Sequence, residues 1–310
     1  MRLIRGIHNI RPEHHGCVAT IGNFDGVHLG HGEIIKRLRK LGEHYGVPTL
    51  VILFEPQPAE FFNRGRVPAR LSRLREKFHL IEERGVDRLL VLRFSHELAA
   101  MPPERFVGDI LVGKLGIKAL IIGDDFRFGS GRGGDFSLLH ELAVRHGFHM
   151  EQTSPFLFIG KRISSTYVRE LLRQGYFLEA TRMLGHPYCI EGRVVHGHKQ
   201  GREWGFPTAN LDLHRVKTPL TGIFAVRVHG LSDKPLPGVG YVGSRPTIED
   251  PRLVFEVHIF DYSGDCYGRY IKVEFVDKIR DDIKFESFAA MAEQIGRDCE
   301  SARGILAVAR

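Results

Sequence analysis

Gly22-Asn23-Phe24-Asp25-Gly26-Val27-His28-Leu29-Gly30-His31 is the stretch whose reading decides the fold. It follows the apolar run Cys17-Val18-Ala19-Thr20-Ile21 and precedes Ile34, Ile35, Leu38, Leu41 and Tyr45 at helical spacing. That order predicts strand, tight turn, helix. Where the turn meets the helix, backbone N–H groups without helical partners attract an anion. Gly30 lets the anion come close, and the rings of His28 and His31 can reach the same place. A pair of histidines beside a turn is more often a plain surface feature. Here Gly22, Gly26 and Gly30 and a strand-to-helix switch accompany them, which favours a nucleotide phosphate.

Outward from this stretch, the first half alternates. Thr49-Leu50-Val51-Ile52-Leu53-Phe54 is a continuous apolar run of the kind found in buried parallel strands. A helix is expected over 72–84, with Ser72 as N-cap, Leu74, Phe78 and Ile81 inward and Gly85 as its stop. Leu89-Leu90-Val91-Leu92 reads as a strand, Pro103 opens a helix bearing Phe106, Ile110, Leu111 and Leu115, and Leu120-Ile121-Ile122 is the next strand. Asp135 caps a helix that ends before Gly147. This alternation predicts an α/β domain with a parallel sheet, whose ligands bind beyond the carboxyl ends of the strands.

Three loops carry candidate chemistry. Phe54-Glu55-Pro56-Gln57-Pro58, followed by Phe61 and Phe62, is a stiff apolar ledge or simply a proline-stiffened loop. In the glycine-rich loop from Gly123 to Gly134, Asp124 and Asp125 could hold Mg²⁺ or a ribose hydroxyl, and Phe126 and Phe128 alternate onto one face. Ile163-Ser164-Ser165-Thr166-Tyr167-Val168-Arg169 opens a helix with hydroxyls that cap it and that also suit a second phosphate.

A last helix over 176–184 is broken by Gly185-His186-Pro187, and the periodicity then changes to two. Phe224-Ala225-Val226-Arg227-Val228, the run from Leu253 to Ile259 and the run from Tyr270 to Phe275 read as antiparallel strands, and a small barrel is expected. An amphipathic helix from Ser287, with Phe288, Met291, Ile295 and Cys299 inward, should cover it. Gly192 to Arg202 is rich in glycine and base but lacks the Gly-Lys-Ser/Thr ending of a Walker loop. Gly205-Phe206-Pro207-Thr208-Ala209-Asn210 offers neutral oxygens for Mg²⁺, or is only a well-bonded turn. Glu256 and His258 share one strand face; Glu256 is an ordinary solvated carboxylate unless that face lines a cleft, where it becomes a candidate base.

In order and over nearly its whole length, the chain resembles the bacterial bifunctional riboflavin kinase/FAD synthetase family. The Gly22 to His31 string is similar to the signature of the nucleotidyltransferase superfamily, which class I aminoacyl-tRNA synthetases share. Those synthetases carry a mobile lysine-rich loop where this chain has Ile-Ser-Ser-Thr-x-x-Arg. The resemblance implies a Rossmann-like nucleotidyltransferase domain over 1–185 and a riboflavin kinase β-barrel with a terminal helix over 186–310. It implies ATP contacts from Gly22, Asn23, Phe24, Asp25, Gly30, Ser165 and Thr166, with His28, His31 and Arg169 catalytic. It implies flavin contacts from Phe54, Pro56, Pro58, Phe62, Asp125, Phe126, Phe128 and Arg280. In the second half it implies ATP at Gly197, Lys199, Gly201, Thr208 and Asn210, Mg²⁺ on Thr208 and Asn210, and Glu256 as catalytic base. Tyr241-Val242-Gly243 departs from the Asn-Ile-Gly usual in the family.

Composition agrees with this. The 310 residues suffice for two cores, and the formal charge of +7, spread along the chain, suits phosphorylated small molecules. Four separated cysteines, Cys17, Cys189, Cys266 and Cys299, form neither a zinc spacing nor a disulfide framework. Arg2, Arg5, His8 and Arg11 interrupt any secretory segment, and no apolar run approaches the ~20 residues of a membrane span. The expectation is a cytoplasmic enzyme, monomeric or weakly self-associating, that acts on riboflavin, FMN and ATP to give FAD and uses no nucleic-acid or membrane partner. Two rival readings are an adenylyltransferase whose barrel only senses flavin, and a nucleic-acid binder using the basic surface.

Overall fold

The structure is a computed structural model that describes residues 1–63, 67–158, 160–197, 205–215, 217–245 and 252–308. The chain forms two compact units: Met1–Pro68 with Lys77–Ser164, and Ala69–Glu76 with Ser165–Arg310.

The first unit is built on a six-stranded parallel sheet. Its strands are β1 (Arg2–Arg5), β2 (Cys17–Ile21), β3 (Thr49–Glu55), β4 (Arg88–Arg93), β5 (Ile117–Ile122) and β6 (His149–Gln152), in the order β1-β4-β3-β2-β5-β6. β2 is wholly buried between β3 and β5. After β2 the chain builds toward β3 and β4, then crosses back to β5 on the other side, so the carboxyl ends of β2 and β5 flank the switch in strand order. The central strands are the apolar runs expected. The edge strands β1 and β6 escape a periodicity reading because each is only four residues long, with only Ile4 buried in β1 and no residue buried in β6. A short hairpin, β7 (Leu157–Phe158) with β8 (Lys161–Arg162), completes the unit's strands.

The helix opened by Pro103 differs from the one expected. After one α-turn it runs as a π-helix over Phe106–Lys114. Its buried residues, Phe106, Val107, Ile110, Leu111 and then Leu115, recur every four or five positions, which suits the wider turn.

The second unit holds a closed antiparallel barrel of β9 (Cys189–Val195), β10 (Ala209–Asp212), β11 (Gly222–His229), β12 (Leu236–Arg245), β13 (Arg252–Ile259) and β14 (Tyr270–Arg280). They pair in the order β10-β13-β12-β11-β14-β9, and β9 closes onto β10. Inside, Phe275 stacks on Phe255 and meets Phe224 edge-on, both at 5.3 Å between ring centroids, and Phe177 of the Phe177–Leu184 helix meets Phe224 at 5.7 Å. The first five residues of β11 are all buried, because the barrel interior takes one face and the Phe288–Val308 helix the other. That helix packs through Ile295, Cys299, Ala302 and Leu306. Phe288, expected inward, is instead exposed at the helix start, beyond the packed stretch. β12 was hidden in sequence because Pro237, Gly238, Gly240 and Gly243 interrupt its alternation.

The segment Ala69–Glu76 is wired into this barrel unit by a charged knot. Arg73 donates to the carbonyls of Leu213 (3.0 Å) and Glu191 (2.6 Å). The Glu76 carboxylate accepts from Glu191 N–H at 2.9 Å and from Arg215 at 2.6 and 2.7 Å, with the Arg215 and Glu76 side chains only 1% and 6% exposed. Removing one charge of a buried pair leaves the other uncompensated. Glu76→Gln should therefore cost roughly 3–5 kcal/mol, read as a lowered midpoint in denaturant unfolding of the barrel unit.

Candidate active sites

In the first unit, the turn after β2 is shaped before any ligand arrives. Phe24 (φ 46°), Gly26 (φ 76°) and Val27 (φ 42°) all take left-handed backbone conformations, which cost energy at the two non-glycine positions. Arg84 holds the strained Val27 by donating to its carbonyl at 2.9 Å. His28 caps the Leu29–Tyr45 helix, its Nδ1 accepting from His31 N–H at 3.3 Å. The two imidazoles stack with centroids 3.7 Å apart, and Phe24 lies 4.7 Å from His31. A Cβ at Gly30 would stand 3.2 Å from His28 Nδ1, a tight contact that the glycine avoids. Asp25 is buried and Asn23 exposed at the rim.

Burial holds the His31 pKa well below its ordinary value, and the nearby charges of His28, Lys77 and Arg84 push the same way. The ring is therefore neutral at neutral pH, with one N–H to donate. Its Nδ1 is buried and has no hydrogen-bond partner among the described residues. A helix N-terminus, a stacked imidazole pair and surrounding positive charge suit a phosphate chain.

The loop after β5 leaves beside this turn, since β5 is the neighbour of β2. Phe126 and Phe128 stack at 5.6 Å on one face, as their alternation implies. Phe106 links Phe128 (6.1 Å) to Phe54 at the end of β3 (6.5 Å). Phe94, just past β4, meets Phe54 at 5.7 Å, Phe61 at 5.3 Å and Phe62 at 5.7 Å. The carboxyl edge of the sheet thus carries a continuous aromatic wall. Phe106 and Phe128 are its buried backing; Phe54, Phe61, Phe94 and Phe126 are half-buried, and Phe62 is exposed. Pro56 is exposed and Pro58 half-buried on the ledge. Phe94 and Phe106 were missed as site residues; Phe94 could have been found by its place two residues after the apolar run of β4. Asp124 is paired with Arg162 at 3.0 Å, while the adjacent Asp125 is exposed.

Ser165, Thr166 and Arg169 stand in the first turns of the Ser165–Gln174 helix, in the second unit. Thr166 is exposed and Ser165 half-buried, and Arg169 Nε donates to Ala69 O at 2.6 Å.

On the barrel, register gathers residues far apart in sequence. Asn210 of β10 lies opposite Glu256 of β13, and Glu256 lies opposite Tyr241 of β12. Partners directly opposite share a face. With Phe255 and Val257 buried in the interior, Asn210, Glu256 and Tyr241 form one outward row. Thr208 Oγ1 donates to Glu256 Oε2 at 3.5 Å, and His258 Nδ1 donates to the Pro207 carbonyl at 2.8 Å, fixing the turn that carries Thr208. Gly197 is close-packed: a Cβ there would fall 2.3 Å from the Asn210 side-chain nitrogen. Arg280 is bound to Asp298 through two nitrogens, at 2.9 and 2.7 Å, with Gln294 supporting the same carboxylate at 2.9 Å. Its guanidinium is thus committed to the terminal helix. Lys199 and Gly201 lie outside the described residues.

The FAD synthetase family model matches residues 10–167, and the riboflavin kinase model matches residues 184–306. The chain is 48% identical over 304 residues to the bifunctional riboflavin kinase/FMN adenylyltransferase of Escherichia coli (strain K12), covering 98% of this chain and 97% of that protein. The same-named protein of Pseudomonas fluorescens is 46% identical, covering 99% and 98%, and that of Haemophilus influenzae 45%, covering 98% of each. A solved structure from Streptococcus pneumoniae, described as a macrolide-efflux protein, superposes with a TM-score of 0.82 at 28% identity over 98% of this chain and 99% of its own. Among the described residues, no helix is long and apolar enough to cross a membrane.

His31 gives this site a measurable pH signature. Its folded pKa lies below the ordinary 6.5, so between the two values the unfolded chain binds more protons and stability falls as pH drops. A magnetic-resonance titration should find the ring still neutral near pH ~6, and His31→Gln should flatten part of the stability loss below pH ~6.5.

Proposed function

The chain belongs to the bifunctional riboflavin kinase/FMN adenylyltransferase family and carries both activities, and from that premise we propose which residues perform each reaction. Residues 186–310 phosphorylate riboflavin, and residues 1–185 adenylylate the FMN so formed. The register pair Asn210–Glu256 carries the first assignment, because it sets a carboxylate beside neutral oxygens suited to a nucleotide's magnesium.

In the kinase reaction the 5′-hydroxyl of the ribityl chain attacks the γ-phosphorus of ATP. Glu256 accepts the hydroxyl proton, and ADP leaves. Thr208 and Asn210 present hard neutral oxygens suited to Mg²⁺, and no cluster of three His, Cys, Asp or Glu among the described residues offers a complete protein cage. That donor set fits an ion held jointly with phosphate oxygens, where it would neutralise charge on the transferred group. Gly197, Lys199 and Gly201 contribute to the ATP phosphates, Gly197 by leaving Asn210 its room. Arg280 helps position the flavin, its guanidinium oriented by Asp298.

In the adenylyl transfer an FMN phosphate oxygen attacks the α-phosphorus of a second ATP, and pyrophosphate departs. The attacking oxygen is already anionic, so no strong base is required. His28 and His31 donate to the departing phosphates, and Ser165, Thr166 and Arg169 are assigned to ATP. Gly22, Asn23, Phe24, Asp25 and Gly30 shape the nucleotide side. The isoalloxazine ring lies against Phe54, Pro56, Pro58, Phe62, Phe126 and Phe128, with Asp125 at the acceptor. Phe61 and Phe94 extend the same wall.

The enzyme works in the cytoplasm as a monomer or weak homo-oligomer, without a nucleic-acid or membrane partner. Its cysteines are suited to that compartment: all four are free, and burial pushes the Cys17 and Cys189 thiols up to about 12.

Incubation with riboflavin, ATP and Mg²⁺, followed by separation of FMN from FAD, tests the pair of assignments. Glu256→Gln should abolish FMN formation and leave FAD synthesis from supplied FMN; unchanged kinase activity would favour a barrel that only senses flavin. His31→Ala should lower adenylyl transfer by ~10²-fold or more and spare the kinase. Equal loss of both activities in either variant would overturn two independent sites.

A further inference from the structure

The outward row on the barrel holds one residue that neither reaction has yet used. Tyr241 stands directly across from Glu256, which places their Cβ atoms about 5 Å apart. On its other side Tyr241 pairs with Ile223 of β11, and Ile223 pairs in turn with Arg280 of β14. The phenol packs against the apolar cluster that includes Ile223, and its hydroxyl donates to Asp282 Oδ2 at 2.9 Å. It crosses Gly243 on the way: a Cβ at that glycine would fall 2.1 Å from the Tyr241 hydroxyl. Asp282 comes two residues after Arg280, which Asp298 holds in place. The ring is therefore located by an apolar floor, by a glycine that leaves it a path, and by a hydrogen bond at its tip.

Glu256 thus has two unlike neighbours across the strands. Asn210, with Thr208 near it, is polar and small. Tyr241 is a rigid plane with its only polar atom turned toward Asp282. We infer that Tyr241, held by Asp282, is the specificity-determining wall of the kinase site, limiting where the alcohol substrate's carbon chain can lie against Glu256. This rests on the reading of Glu256 as the base. The nucleotide approaches from the Thr208–Asn210 side, and the acceptor is confined on the other. The ring offers no proton and no charge to the transfer, so its effect falls on acceptor binding rather than on the phosphoryl step. A pre-located aromatic plane favours the acceptor because little freedom is lost when the substrate arrives.

The test is steady-state kinetics of FMN formation by the full chain. Tyr241→Phe and Asp282→Ala, which each remove the hydrogen bond, should raise the riboflavin KM about fivefold with kcat largely kept. The double variant should be no worse than either single one, since both remove the same bond. Tyr241→Ala, which removes the wall, should raise that KM about tenfold or more. The KM for ATP and the adenylylation of supplied FMN should not move. A riboflavin KM within about twofold of the parent in Tyr241→Ala, or an ATP KM that rises in step with it, overturns the inference. If Tyr241→Ala unfolds, Tyr241→Phe retains the ring and decides by the same readout. Glu256→Gln is assayed in parallel: FMN formation surviving there refutes the base assignment alone, while the riboflavin KM series judges Tyr241 by itself.

Discussion

Glu256 has no choice of face. Its strand is hydrogen-bonded to β10 on one side and β12 on the other, and Phe255 and Val257 on either side of it fill the barrel. A slip of one residue in either ladder would send the carboxylate inward and two apolar side chains into water, so the interior packing enforces the register. The same backbone constraint acts in the parallel sheet. There the pairing of β2 with β5 brings two loops from distant parts of the chain to one edge. Both sites are therefore consequences of strand pairing, and the side chains that do chemistry are positioned by residues that do none.

The two sites handle charge differently. The turn after β2 gathers a helix N-terminus, Lys77 and Arg84 about a His31 ring kept neutral by burial. An anion entering there would meet donors and positive charge already in place. The left-handed Phe24 and Val27 show the same economy, since the strain is sustained by Arg84 rather than relaxed. The barrel row carries the opposite sign at Glu256 and sets the neutral oxygens of Thr208 and Asn210 beside it.

What the sequence made readable was local. Buried parallel strands are continuous apolar runs, so β2, β3, β4 and β5 stood out, and the glycine-histidine turn declared itself at the end of one of them. Edge strands β1 and β6 lack that run, and β12 is broken by glycines that serve the barrel rather than the strand. Thr208, Asn210 and Glu256 could be named singly, but nothing in their spacing says that Asn210 and Glu256 are opposite each other; that is set by a ladder closed across 46 positions of chain. Phe94 joined the aromatic wall, and His258 was found to steady Pro207, for the same reason. Arg280 could be named from its motif, but its partner Asp298 is one that only folding reveals.

The knot of Arg73, Glu76 and Arg215 means that sequence order and folding units do not coincide. Eight residues from the middle of the first half are part of the second unit's fabric, so a gene cut anywhere between the two catalytic segments would deliver a barrel with Arg215 facing a hole. Recombination that shuffles whole domains has no clean seam here. A barrel taken alone would need residues 69–76 brought with it, or another carboxylate supplied to Arg215.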